Sequence, residues 1–172
     1  MKPDVFIFNA SNDDALAADT VVYVPNKTIK TFESDLASLP MLFARECDIV
    51  LVDCLPPIEF IKKLRDYGFT IPKFIVKDIF FNGQYKNFSY GTIKPWGWSR
   101  HTHRMFHKIK PLCDHLGVFA DWDIAFRDLC GRHSSARMLE SIVRQDFPYM
   151  VGIDALPLVF NCFVQFAAYS DG

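Results

Sequence analysis

Two short polar strings hold most of the side chains that could do chemistry. Asn9-Ala10-Ser11-Asn12-Asp13-Asp14 supplies two amides and two carboxylates directly after an apolar run. Ile93-Lys94-Pro95-Trp96-Gly97-Trp98-Ser99 supplies an ammonium, two indoles and a hydroxyl. Asn9, Asn12 and Asp13 could bind a polar group of a small substrate by hydrogen bonds; equally, Asn12 or Asp13 could cap a short helix through Asp19. Lys94 could neutralise an anion beside an apolar wall of Trp96 and Trp98, or the indoles could plug a seam between a sheet and a helical part. Ser99 is a good N-cap, and with Arg100 it opens a helix whose first N–H groups attract anions. A second anion-binding candidate is Arg132-His133-Ser134-Ser135-Ala136-Arg137, through Arg132, Ser134 and Arg137, although capping by the serines explains the same string.

Other chemistries lack their patterns. His103 and His107 share a helix face as metal ligands would, but no H-E-x-x-H string or third ligand accompanies them, so no metal site is expected. There is no G-x-S-x-G elbow, no G-x-G-x-x-G after the first strand and no G-x-x-x-x-G-K-S/T loop, which argues against a serine hydrolase, a nicotinamide enzyme and a P-loop ATPase. Five cysteines without a C-x-x-C pair point to reduced, mostly buried thiols. A net charge of −1 with no long run of one sign gives no footprint for nucleic acid or an acidic membrane. No apolar run reaches the roughly 18 to 20 residues that span a bilayer, and a cytoplasmic protein is the expectation.

The elements that must position these strings alternate. Half of the 172 residues are hydrophobic, seventeen of them phenylalanine, enough for a real core. Val5 to Phe8 reads as a strand. Asn26 or Thr28 caps a helix expected to run to about Ala44, with Ile29, Phe32, Leu36, Leu39 and Phe43 packing on the sheet. Asp48 to Asp53 reads as the central parallel strand. Pro56 and Pro57 start a helix through about Tyr67, with Ile58, Ile61 and Leu64 inward and Gly68 as the stop. Pro72 to Val76 is a third strand. Helices are expected from Arg100 to about Cys113, Trp122 to about Leu129 and Ser134 to about Arg144, then a strand over Leu156 to Phe160 and an apolar tail to Tyr169. The fold class is therefore α/β: an open, mostly parallel Rossmann-like sheet flanked by helices, followed by a helical segment. Ligands on such sheets sit at the carboxyl ends of the strands, where the Asn9 to Asp14 loop lies.

Three stretches resemble a group of bacterial ATP-grasp proteins. Phe8-Asn9-Ala10-Ser11-Asn12-Asp13-Asp14-Ala15-Leu16-Ala17 is similar to their F-N-P-x-N/H-D-x-A-L-A. Ser34-Asp35-Leu36-Ala37-Ser38-Leu39-Pro40 before Asp48-Ile49-Val50-Leu51-Val52-Asp53 resembles R-x-D-L-A-x-L-P and a D-x-V-L-V strand, and Lys94-Pro95-Trp96-Gly97-Trp98 matches K/E-P-W-G-W. The resemblance covers roughly residues 4 to 145, in order. It departs at Ala10 and Ser11, where the family has proline and an acidic residue, and in Phe32-Glu33-Ser34, where the family's arginine is replaced.

What the resemblance implies is a pre-ATP-grasp domain over residues 1–120, then a helical connector and the start of a truncated ATP-grasp region over 121–172. Asn9, Asn12, Asp13, Lys94, Trp96 and Trp98 become substrate-side residues. No catalytic residue and no cofactor are expected in this chain. ATP and Mg belong to the full-length protein, in a downstream ATP-grasp domain that would begin where Ser170-Asp171-Gly172 ends. Partners are then that domain and an unknown small-molecule substrate, with a homodimer through the uncovered tail, Val159 to Tyr169, as a further expectation. The rival reading is a complete stand-alone module that binds a small ligand or a protein without catalysis.

Overall fold

The structure is a computed structural model that describes residues 1–115, 124–130 and 132–145. The chain divides into two compact units, Met1–Trp122 and Asp123–Gly172. In the first, β1 (Val5–Ile7), β2 (Ile49–Val52), β3 (Lys73–Val76), β4 (Tyr90–Pro95) and β5 (Cys113–His115) form one sheet in the order β3-β2-β1-β4-β5. Every pairing is parallel. The connections carry α1 (Asn12–Ala18) and α2 (Lys27–Asp35), then α3 (Ile58–Asp66), α4 (Lys77–Phe81) and α5 (Arg100–Phe106), while α6 (Ile124–Cys130) and α7 (Arg132–Gln145) belong to the second unit. This is an open α/β Rossmann-like fold. No helix among the described residues is long and apolar enough to cross a membrane.

The alternation of side chains along β1 divides the core between the two faces of the sheet. Val5 and Ile7 join Ile49, Leu51, Phe80 from α4, Ile93 and Phe106 from α5 on one face. Phe6 joins Val50, Val52, Ala37 and Ala44 on the other. β1 and β2 are buried throughout, as strands covered on both sides must be.

A cluster of charges locks the amino-terminal edge. Asp48, 1% exposed, accepts hydrogen bonds from the Asp4 and Arg45 backbone N–H groups and from the Arg45 guanidinium. Asp4 in turn accepts from Thr92 N–H and pairs with Arg45 and with Lys94. Burial alone would raise the Asp48 carboxyl; the Arg45 side chain and the two backbone donors outweigh it and hold the group below its ordinary 3.8.

Several expectations are corrected. The middle strand is β1, not β2, since β1 pairs with both β2 and β4; a continuous apolar run marks any strand covered on both faces and cannot tell which is central. α2 ends at Asp35, and Pro40 opens a separate 3₁₀ turn over Leu39–Leu42, because proline cannot continue the ladder. Ala37, Met41 and Ala44 therefore pack inward, leaving Phe32 and Phe43 51% and 69% exposed. Ile58 of α3 is also exposed, while Ile61 and Leu64 are half-buried. The helix from Arg100 stops at Phe106; Pro111 sits in a 3₁₀ turn, and Cys113 begins β5. α7 starts at Arg132, so Ser134 is inside its first turn, its hydroxyl donating to the Asp128 carbonyl at 2.5 Å. Cys47, Cys54 and Cys130 are exposed and Cys113 is half-buried, against the expectation of mostly buried thiols. The caps Asn26 and Ser99 hold as read, accepting from Ile29 and Thr102 N–H. Gly68 ends α3's turn at φ 83°. The strand and tail from Leu156 to Tyr169 lie outside the described residues.

Candidate functional site

The strand order reverses between β1 and β4, since the chain builds β2 and β3 on one side of β1 and then crosses to β4 and β5 on the other. A crevice forms at the carboxyl ends of strands that diverge in this way. The loop after β1 and the loop after β4 therefore meet, although 88 residues separate them. Trp96 N–H donates to the Ile7 carbonyl at 2.9 Å, which continues the β1–β4 pairing one step beyond the strands.

Asn9 then joins the two loops. Its Nδ2 donates to the Gly97 carbonyl at 2.8 Å, and Gly97 N–H donates back to its Oδ1 at 3.2 Å. The same Nδ2 also donates to Thr102 Oγ1 at 3.2 Å, and the Asn9 carbonyl accepts from Asn12 N–H at 3.1 Å. An asparagine side chain thus substitutes for a strand partner where the two backbones separate. Gly97 is required there because an added Cβ would meet the Asn12 side chain, 2.5 Å from Cγ and 2.9 Å from Cβ.

The two tryptophans take opposite faces, as alternation along an extended segment demands. Trp96 lies edge-on to Phe8, ring centroids 5.2 Å apart, and stays 56% exposed. Trp98 packs under α5 against His103 at 4.6 Å and Phe106 at 6.3 Å. Trp98 is architecture, whereas Trp96 faces a cleft of about 440 Å³ lined by Phe8, Asn12, Asp13, Phe32, Leu36 and Gly97 among others.

Asn12 is 7% exposed, and its Oδ1 has no hydrogen-bond partner. Asp13 is exposed in the first turn of α1. Ser11, not Asn12 or Asp13, occupies the N-cap position, but its hydroxyl does not cap the helix. It donates instead to Glu33 Oε1 at 2.7 Å, and Ser11 N–H donates to the same oxygen at 2.8 Å. Beside this pair, a small cavity of about 80 Å³ is bordered by Asn9, Asn12, Glu33, Lys77 and His101. The Tyr23 phenol near Asp14 is raised above its ordinary 10.0 by partial desolvation and then by the Asp14 carboxylate, so it remains a donor.

The Lys94 ammonium pairs with Asp4 at 2.9 Å and lies over the Phe6 ring at 5.1 Å, toward the amino-terminal edge. Ser99 is fully buried, bonded to Thr102, and Arg100 points to solvent at the start of a helix of only seven residues. Arg132, Ser134 and Arg137 lie in α7, within the second unit. Among the described residues no group of three His, Cys, Asp or Glu side chains could hold a metal; His103 is packed on Trp98. Sequence reasoning missed Glu33 and the cleft role of Phe8, Phe32 and Leu36, whose apolar spacing it took for packing on the sheet. The signal available for Glu33 was its position on the one substitution that breaks the R-x-D-L-A pattern.

No family model, curated protein or solved structure matches this chain.

Proposed function

We propose that residues 1–120 form the substrate-side, pre-ATP-grasp domain of an ATP-grasp ligase-like protein, of the class that joins a carboxylate to an amine or thiol with ATP. The observation that carries this reading is the Asn9–Gly97 joint: two strings that resemble the family, far apart in sequence, share one cleft wall at the switch point. Two departures from the pattern, Ser11 where the family has an acidic residue and Glu33 in the stretch that replaces its arginine, bond to each other.

The described lining of the cleft beside Trp96 contains no lysine or arginine for a triphosphate. MgATP belongs, in this reading, to a downstream ATP-grasp domain, and this chain supplies the wall against which the other substrate rests. Expression of the natural reading frame beyond Gly172, with ADP release as the readout, tests the division of labour. Asn9→Ala and Trp96→Ala are expected to keep MgATP affinity and lose ADP release. Unaltered turnover in both variants, or a reading frame that stops at Gly172, would overturn the proposal.

A further inference from the structure

We propose that the cleft between the β1 and β4 loops binds an organic ammonium ion, a small molecule that presents an N–H-bearing cationic nitrogen on an apolar or aromatic body. This stands on the cleft alone and does not depend on the ligase reading.

The lining is one-sided in charge. Its described polar groups are the Asn12 amide, the Asp13 carboxylate, the Trp96 indole N–H and backbone, and no lysine, arginine or histidine is among them. Lys94, two residues before Trp96, is held away at Asp4 on the same face of the sheet. A phosphate or carboxylate ligand would meet Asp13 without a counter-charge, whereas a cation meets its complement.

The buried acceptor points the same way. Asn12 Oδ1 is enclosed without a donor, a condition that native proteins rarely leave uncorrected. A turn of the Asn12 side chain that presents this oxygen to the cleft it lines lets an ammonium N–H supply the missing donor; a quaternary nitrogen or a carboxylate does not.

The apolar side of the cleft suits the rest of the molecule. Phe32, Phe8 and Trp96 form a run of three rings, centroids 6.0 and 5.2 Å apart, and two of the three are half exposed. Ring faces attract cations and cover flat apolar bodies, and Lys94 over Phe6 shows the same contact made within the chain. A volume of about 440 Å³ accommodates a small molecule.

The test uses the chain labelled with ¹⁵N and three probes of matched shape: 2-phenylethylammonium, 2-phenylethanol and phenylacetate. The ammonium is expected to give saturable shifts at the Gly97 amide and the Asn12 side chain and to change Trp96 fluorescence. It should bind about tenfold tighter than the alcohol, with no binding of the anion at these groups. Asp13→Asn, a surface change that leaves the core intact, should weaken the ammonium about fivefold at low salt and leave the alcohol unaffected. Equal binding of ammonium and alcohol, preferential binding of phenylacetate, shifts that map away from Gly97 and Asn12, or no saturation would each overturn the proposal. Those outcomes concern the cleft of this chain and not turnover of MgATP, so failure here and failure of the ligase reading are separable.

Discussion

Asp48→Ala removes the acceptor at the centre of the amino-terminal clamp. Two backbone N–H groups, of buried Asp4 and half-exposed Arg45, lose the partners they hold at 2.9 and 2.7 Å. An orphaned buried donor costs about 1 to 3 kcal/mol, and the Arg45 amide, nearer solvent, takes the low end, so the loss is roughly 3 kcal/mol. No contribution is assigned to the Arg45 guanidinium, which is 43% exposed and retains Asp4 as a partner. At roughly 2 to 4 °C per kcal/mol for a chain of this size, the melting temperature should fall by roughly 6 to 12 °C at neutral pH, measured by calorimetry. Acid supplies a second arm. Because the folded carboxyl lies below its ordinary value of 3.8, its contribution is complete above that value and lost as pH falls through the folded one. The gap between wild type and variant should therefore narrow below about pH 4. A neutral-pH change smaller than about 2 °C, or a gap that persists in acid, would refute the clamp as a source of stability.

Three further outcomes follow from the site geometry. Gly97→Ala should destabilise by about 1 to 3 kcal/mol through crowding of Asn12, and Asn12→Ala in the same chain should restore part of it; strictly additive losses would count against the close approach. With Trp122→Phe as background, acrylamide should quench Trp96 far more than Trp98 in single-tryptophan variants, and equal quenching would contradict the division of the motif between faces. Burial, then Asp114, pushes the Cys113 thiol up to about 11, so Cys47 and Cys54 should react with a disulfide reagent at neutral pH while Cys113 waits for unfolding; prompt labelling of Cys113 would show that it is not shielded.

The parallel α/β class was legible because β1 and β2 are apolar without interruption and the caps at Asn26 and Ser99 use residues that serve few other purposes. The order of strands was not, since the same burial makes any interior strand read as central. β4 escaped because Lys94 and Pro95 look like a loop, yet Lys94 finds Asp4 and Pro95 comes last in the strand, where a missing N–H is tolerated. Pro40 and Pro111 sit in separate 3₁₀ turns beyond helices that periodicity alone extended. At the site, Asn9 and Asn12 were recognisable as polar groups at a strand end. Their actual roles, a backbone surrogate and an orphaned acceptor, depend on Gly97, which is distant in sequence and local only after folding. The face exposed by α2 was misread for a related reason: Phe32 and Leu36 have core spacing, but Glu33 turns inward to Ser11 and rotates them toward the cleft.

The most direct test of the account is a calorimetric titration of MgATP into the 172-residue chain. A substrate-side domain with no triphosphate site of its own predicts no saturable heat. Tight, magnesium-dependent binding of ATP to this chain alone would contradict that assignment.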